Sequence, residues 1–279
     1  MIIGAHMSAP ISTVPRRTVE IGGNAFQIFS HSPRTWKVTR KEREWEKFRA
    51  ELKRYSAITY TMIHASYLIN LASPKDEVWE RSKSLLREEM KIAHELGLKY
   101  VNVHPGSRLN ASEEEALKRC ALAVKEVISS SPSDVTLLLE NVSPKGGNIG
   151  WNFFQLAKIK ELSHCDIKFT YDTCHGFDAN YDVRTVDGVK KLIEEIGKTV
   201  GTENIVACHL NDSKYPPAIA KDRHERLARG YIGEKGFLNF FSHALFRNLP
   251  LILETPGGDL EHAEDITVAK RIWSLSGST

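Results

Sequence analysis

Short apolar runs recur eight times along the chain, and each is followed by a polar turn and a longer amphipathic stretch. The runs span residues 2–7, 25–29, 59–64, 100–104, 135–140, 167–172, 205–210 and 249–254. They are continuous rather than alternating, as strands covered on both faces should be. Helical patterns lie between them at 40–55, with Trp45, Phe48 and Leu52 on one face, and at 74–95, where Ser73-Pro74 reads as a cap with proline in the first turn. Others begin at the capping box Ser112-Glu113-Glu114-Glu115, cover 152–162, and lie at roughly 180–200, 236–247 and 259–275. Eight strand–helix repeats in 279 residues predict an α/β protein, a (β/α)8 TIM barrel with residues 1–279 as its single domain. A doubly wound open sheet competes, but rarely needs eight units. The one long irregular stretch expected is 211–236, after the seventh strand, where barrels place functional loops.

What ends these strands points to chemistry. Strand three ends at His64, four at His104 and five at Glu140-Asn141. Strand six ends at Asp172-Thr173-Cys174-His175, seven at His209-Leu210-Asn211-Asp212 and eight at Glu254. The loop after strand seven carries Asp222-Arg223-His224. In a barrel the C-terminal strand ends converge on one mouth, so these imidazoles and carboxylates are expected to meet there. Bare carboxylates in one small volume repel, which calls for cations; mixed His and Asp/Glu donors suit zinc, or less specifically manganese or iron. A single His or Asp at a strand end is commonly a hydrogen-bonded rim residue or a helix cap, but six consecutive strands ending this way argues for a metal cluster.

Other features carry less. His6 also ends a strand and is expected beside the cluster, while His31, His94, His164, His243 and His262 read as surface residues. Gly197-Lys198-Thr199 resembles the tail of a phosphate loop, but Leu192 stands where the upstream glycine is required. A net charge of +3 neither demands nor excludes a nucleic-acid partner, and the charged run 40–54 reads as a solvated helix face. Four scattered cysteines without a C-x-x-C pair fit a reducing compartment, and neither a signal peptide nor a membrane span is expected.

Taken together, Leu139-Glu140-Asn141, Asp172-Thr173-Cys174-His175, His209-Leu210-Asn211-Asp212-Ser213-Lys214 and Asp222-Arg223-His224 resemble endonuclease IV, the zinc-dependent apurinic/apyrimidinic endonuclease family of base-excision repair. The resemblance runs from Gly4-Ala5-His6 to Leu253-Glu254-Thr255. It implies three zinc ions: one held by His64, His104 and Glu140; a second, bridged by Glu140, by Asp172, His209 and Glu254; and a third by His175, Asp222 and His224. It also implies that Arg34, Tyr67 and Leu68, on the same mouth, enter the minor groove at a flipped-out abasic nucleotide. Ala228-Arg229-Gly230 departs from the family's usual Gly-acid-Gly turn.

The implied reaction is hydrolysis of the phosphodiester 5′ to an abasic site in duplex DNA, leaving a 3′ hydroxyl. A hydroxide shared by two metals would be the nucleophile, with Glu140 as catalytic residue. The expected setting is a monomer in the cytoplasm, associated with the nucleoid during repair and with no membrane partner. The alternatives are a metal-dependent sugar isomerase or epimerase on a related barrel, which would leave Asp222 and His224 without a role, and a non-catalytic DNA-binding barrel, which the complete donor set disfavours.

Overall fold

A computed structural model describes residues 1–277. Eight parallel strands close into a barrel: β1 (Ile3–His6), β2 (Ala25–Ile28), β3 (Tyr60–His64), β4 (Tyr100–Val103), β5 (Thr136–Glu140), β6 (Lys168–Asp172), β7 (Ile205–His209) and β8 (Leu251–Leu253). Each strand pairs with its neighbours in sequence, and β8 closes the ring on β1 through Gly4↔Ile252. All eight expected strands are present, trimmed by one or two residues at one end or both.

The helices form the outer layer, and their amphipathic patterns show which face each buries. After the short helix α1 (Val14–Glu20), α2 (Glu42–Arg54) buries Trp45 and Phe48, while α3 (Asp76–Leu96) buries Leu85, Leu86, Met90 and Ala93. The Ser112–Glu115 capping box opens the helix Glu113–Ile128, with both reciprocal bonds made. Asn152 caps Phe153–Ser163 by accepting from Gln155 N at 2.8 Å.

Ser73 does not cap α3. Its hydroxyl closes a tight turn on Lys75 N at 3.2 Å, and Lys75 is the N-cap without a side-chain bond. The pattern at 236–247 is two helices, Gly233–Phe241 and Ala244–Asn248. A helix that the sequence did not suggest, Val14–Glu20, follows β1. The stretch 211–236 is less irregular than expected, because Asp212–Ser213 pairs antiparallel with His224–Glu225. Conversely, residues 29–41 after β2 contain neither helix nor strand, making a second long functional-face loop.

A strand turns alternate residues to the same face, and the pairing register carries that face round the barrel. Ala25, Tyr60, Met62, Leu138, Ala207 and Ile252 form a separate apolar plug inside it. Two residues further along the same strands stand Gln27, His64, Glu140, His209 and Glu254, with Asp172 paired to His209. The interior is therefore an apolar floor roofed by a polar plate at the C-terminal mouth. Among the described residues no disulfide forms, and no helix is long and apolar enough to cross a membrane.

Candidate metal centre

Glu140 stands at the middle of the plate and is fully buried. Its Oε2 accepts from Asn102 Nδ2 at 2.5 Å and lies 3.3 Å from His104 Nε2 and 3.6 Å from His64 Nε2. Its Oε1 lies 3.0 Å from His209 Nδ1 and 3.1 Å from His175 Nδ1. Three sets of donor atoms each fall within 4.8 Å of one another: His64, His104 and Glu140; Glu140, Asp172, His209 and Glu254; and Asp172, His175 and His224. The first two are the groupings that the family resemblance implies. In the third Asp172 stands where Asp222 was expected, and Asp222 joins through Oδ1, 3.2 Å from His175 Nε2.

Local structure aims these side chains. Asp172 ends β6 and caps the short helix Thr173–Asp178 by accepting from His175 N at 2.7 Å, which places His175 one turn along. Its other oxygen accepts from Asn211 Nδ2 at 2.7 Å. Asp222 has a left-handed backbone, φ 52°, held by its N–H donating to Asp178 Oδ2 at 2.7 Å. Ser143 donates to the same oxygen at 2.8 Å. His224 comes in on the ribbon; its Nδ1 lies 3.2 Å from Glu254 O, while the buried Nε2 has no hydrogen-bond partner and stands 3.8 Å from Asp172 Oδ2.

Four carboxylates and five imidazoles share this volume, and charge compensation is visible in their proton affinities. Burial alone would raise Glu140, yet His209 and His104 hold it well below the usual carboxylate range. Burial likewise opposes, but His209 and His64 bring Glu254 to about 2. His175 is lifted well above the ordinary imidazole value against its burial, chiefly by Asp172, and His209 to about 9 by Glu140 and Glu254. Acidic groups stripped of protons beside nitrogens eager for charge make a site suited to cations. The donor chemistry, imidazole and carboxylate with one buried imidazole nitrogen left over, fits zinc and the neighbouring transition metals.

Above the donors is a cavity of about 430 Å³ lined by His64, Tyr67, His104, Asp222 and His224, and beside it a groove of about 870 Å³ reaching Phe29, Lys37, Lys41 and Trp45. Tyr67 is 59% exposed, and its ring leans on Phe29 and His64. Leu68 is half-buried beside it, and Arg34 is exposed on the 29–41 loop, near enough for its charge to act on Tyr67. The two loops are tied: Ser66 Oγ donates to Pro33 O at 2.8 Å.

Beneath both loops sits the wholly buried Glu89, accepting from Ser66 N at 3.1 Å and standing 3.5 Å from His31 Nδ1. His31 is half-buried as a residue, but its side chain is only 5% exposed, where its sequence position suggests a surface residue. His262 is also buried, its Nε2 3.1 Å from Thr255 O. His94 and His164 are exposed and His243 half-buried. Burial pushes the Glu89 carboxyl up to about 8, with the Ser66 N–H pulling the other way. A folded-state value above the unfolded one favours folding fully below the unfolded value, and that contribution is lost as pH rises towards 8. Glu89→Gln keeps the acceptor but does not titrate. Between pH 5 and pH 8 its melting temperature should therefore fall about 5 °C less than that of the unsubstituted protein. Equal falls would contradict a buried neutral Glu89.

Two residues of the polar plate were missed from sequence, Gln27 and Asn102, both fully buried. Amides are not metal donors here, so a search for His and carboxylates passes over them; counting two along from the inward Ala25 and Tyr100 finds both. His6 stands at the edge of the plate with Nδ1 2.8 Å from Gln27 Nε2, and burial drives it down to about 3, so it is a neutral imidazole. The departure at Ala228-Arg229-Gly230 leaves the turn well supported. Asp212 accepts from the N–H groups of Gly230, Ile232 and Gly233, and a Cβ on Gly230 would lie 2.3 Å from Ser213 O.

Residues 15–273 match the family model described as xylose isomerase-like TIM barrel. A probable endonuclease 4 of Thermotoga petrophila is 49% identical over 270 residues, covering 95% of this chain and 94% of its own. The crystal structure of endonuclease IV from Thermus thermophilus superposes with a TM-score of 0.85 at 31% identity, over 99% of this chain and 100% of that one. A D-tagatose 3-epimerase-like protein shares the fold, with a TM-score of 0.76, at only 16% identity over 100% of this chain and 99% of that one.

Proposed function

The chain belongs to the endonuclease IV family, and from that premise we propose that it is a DNA-repair endonuclease that cuts duplex DNA on the 5′ side of an abasic site. The observation that carries the reading is the linking of three donor groups around one mouth, with Glu140 common to two and Asp172 to two. Sugar-metal barrels of the same fold need one or two ions, which would leave His224 and Asp222 idle. Three zinc ions are proposed, held by His64, His104 and Glu140; by Glu140, Asp172, His209 and Glu254; and by His175, His224 and Asp222, with manganese or iron able to substitute.

Bound there, the ions supply a water acidic enough to be hydroxide near neutral pH and positive charge against the phosphate and the departing 3′ oxygen. The chain's own residues do the rest. Glu140, with one oxygen turned to each side of the mouth, would be shared by two of the ions and orient the attacking water. Asp178 anchors the main-chain N–H of Asp222, and Asn211 donates to the Asp172 carboxylate from behind. Tyr67 and Leu68 fill the space left by the flipped-out nucleotide, and Arg34 with Lys37 and Lys41 meets the phosphates along the groove. The enzyme would work as a monomer in the cytoplasm, on the nucleoid.

The test is an end-labelled duplex with one synthetic abasic site, with and without a chelator. Nicking that chelation stops, leaving an end that a polymerase extends, supports the reading; no nicking with turnover of a keto sugar instead would replace it with the epimerase alternative. Tyr67→Ala should lower the preference for abasic over intact duplex by ~10-fold while leaving metal content unchanged. An unaltered preference would remove Tyr67 from recognition. Binding should also weaken steeply with salt.

A further inference from the structure

Gln27 lies on the inner face of β2, and its one amide meets three groups of the plate. Nε2 donates to Glu254 Oε1 at 2.6 Å and to His6 Nδ1 at 2.8 Å, and Oε1 stands 2.8 Å from His209 Nε2. The amide cannot be turned over. Its oxygen would then face the Glu254 carboxylate, acceptor against acceptor at 2.6 Å. With the oxygen on His209, Nε2 must carry the hydrogen, which leaves Nδ1 as the nitrogen facing Glu140 Oε1 at 3.0 Å and Glu254 Oε2 at 3.3 Å.

This is the reverse of the other imidazoles in the site. His64 Nδ1 lies 2.7 Å from Ala65 O, His175 Nδ1 3.0 Å from Asn141 O and His224 Nδ1 3.2 Å from Glu254 O. Those three rest through Nδ1 on main-chain carbonyls, with His175 Nδ1 also 3.1 Å from Glu140 Oε1, and their Nε2 atoms face Glu140, Asp222 and Asp172 respectively. His209 alone among them is anchored by a side chain. A Glu at position 27 would keep that acceptor but set a second carboxylate against Glu254; only an amide serves both partners.

We propose that Gln27 is a positioning residue for the metal centre: it sets His209 to bind metal through Nδ1 and holds Glu254 turned towards the same ion. The proposal rests on the metal-dependent reading above and adds to it the nitrogen used and the residue that selects it.

Nitrogen-15 NMR of the zinc-loaded, histidine-labelled protein tests it. His209 should show a protonated Nε2 and a zinc-shifted Nδ1, whereas His64, His175 and His224 should show the opposite. Gln27→Met, of similar shape, should hold one of its zinc ions ~10- to 100-fold more weakly against a chromophoric chelator. Its zinc-free circular dichroism and melting should match the unsubstituted protein, and Gln27→Glu should weaken zinc similarly. Zinc bound through His209 Nε2 overturns the proposal whether or not any variant folds. Unchanged zinc retention in Gln27→Met, with the unsubstituted protein loaded and nicking abasic DNA, overturns the positioning role alone. An unsubstituted protein that takes up no zinc overturns the metal-dependent reading and this role with it.

Discussion

Glu140→Gln is expected to lower nicking of an abasic duplex by at least about 10⁴-fold, some ~5.5 kcal/mol of transition-state stabilisation, while the barrel stays folded. The change preserves volume, so the apolar floor beneath is undisturbed. It removes the one negative charge that stands within 3.6 Å of His64 and His104 on one side and His175 and His209 on the other. An amide offers a single acceptor oxygen and places a donor NH2 against nitrogens that need an acceptor or a shared cation. Both donor groups that contain Glu140 are therefore damaged together, and metal content should fall by at least one ion per chain. Circular dichroism and the melting temperature of the metal-free variant separate loss of chemistry from loss of fold. Nicking retained at the unsubstituted rate would remove Glu140 from the catalytic role.

His224→Ala is expected to cost one metal ion per chain and at least about 100-fold in nicking, roughly 2.7 kcal/mol. His224 lies on the ribbon rather than on a barrel strand, so its loss leaves the plate intact. Its buried Nε2 has no protein partner, which is the mark of a group whose partner is a ligand. Elemental analysis should then read two ions rather than three. Three ions with unchanged nicking would assign His224 a packing role and return the centre to the smaller sets of sugar-metal barrels.

The fold was legible because the eight strands are buried on both faces and so read as unbroken apolar runs, a signal independent of distant contacts. The candidate site was legible for a related reason: a barrel brings all C-terminal strand ends to one place, so donors at 64, 104, 140, 172, 209 and 254 need only be read in order. What escaped was set by partners remote in sequence. His31 reads as a loop residue because nothing nearby announces Glu89, some five dozen positions on, as its buried neighbour. The helix Val14–Glu20 is too short to show a period, and Pro15 near its start reads as a break. Ser73 binds Lys75 N and so shapes the entry to α3 without capping it, a distinction of two residues that propensity does not make. The placement of Asp172 in the third donor group depends on its Oδ2 lying 3.9 Å from His209 and 3.8 Å from His224, a juxtaposition of elements remote in sequence.

The most direct measurement is nicking activity against equivalents of zinc returned to fully chelated protein, on the end-labelled abasic duplex. A centre of three linked donor groups predicts activity that stays low through the first two equivalents and reaches its plateau at the third, with a polymerase-extendable 3′ end as product. A plateau at one or two equivalents, or nicking that needs none, would contradict it.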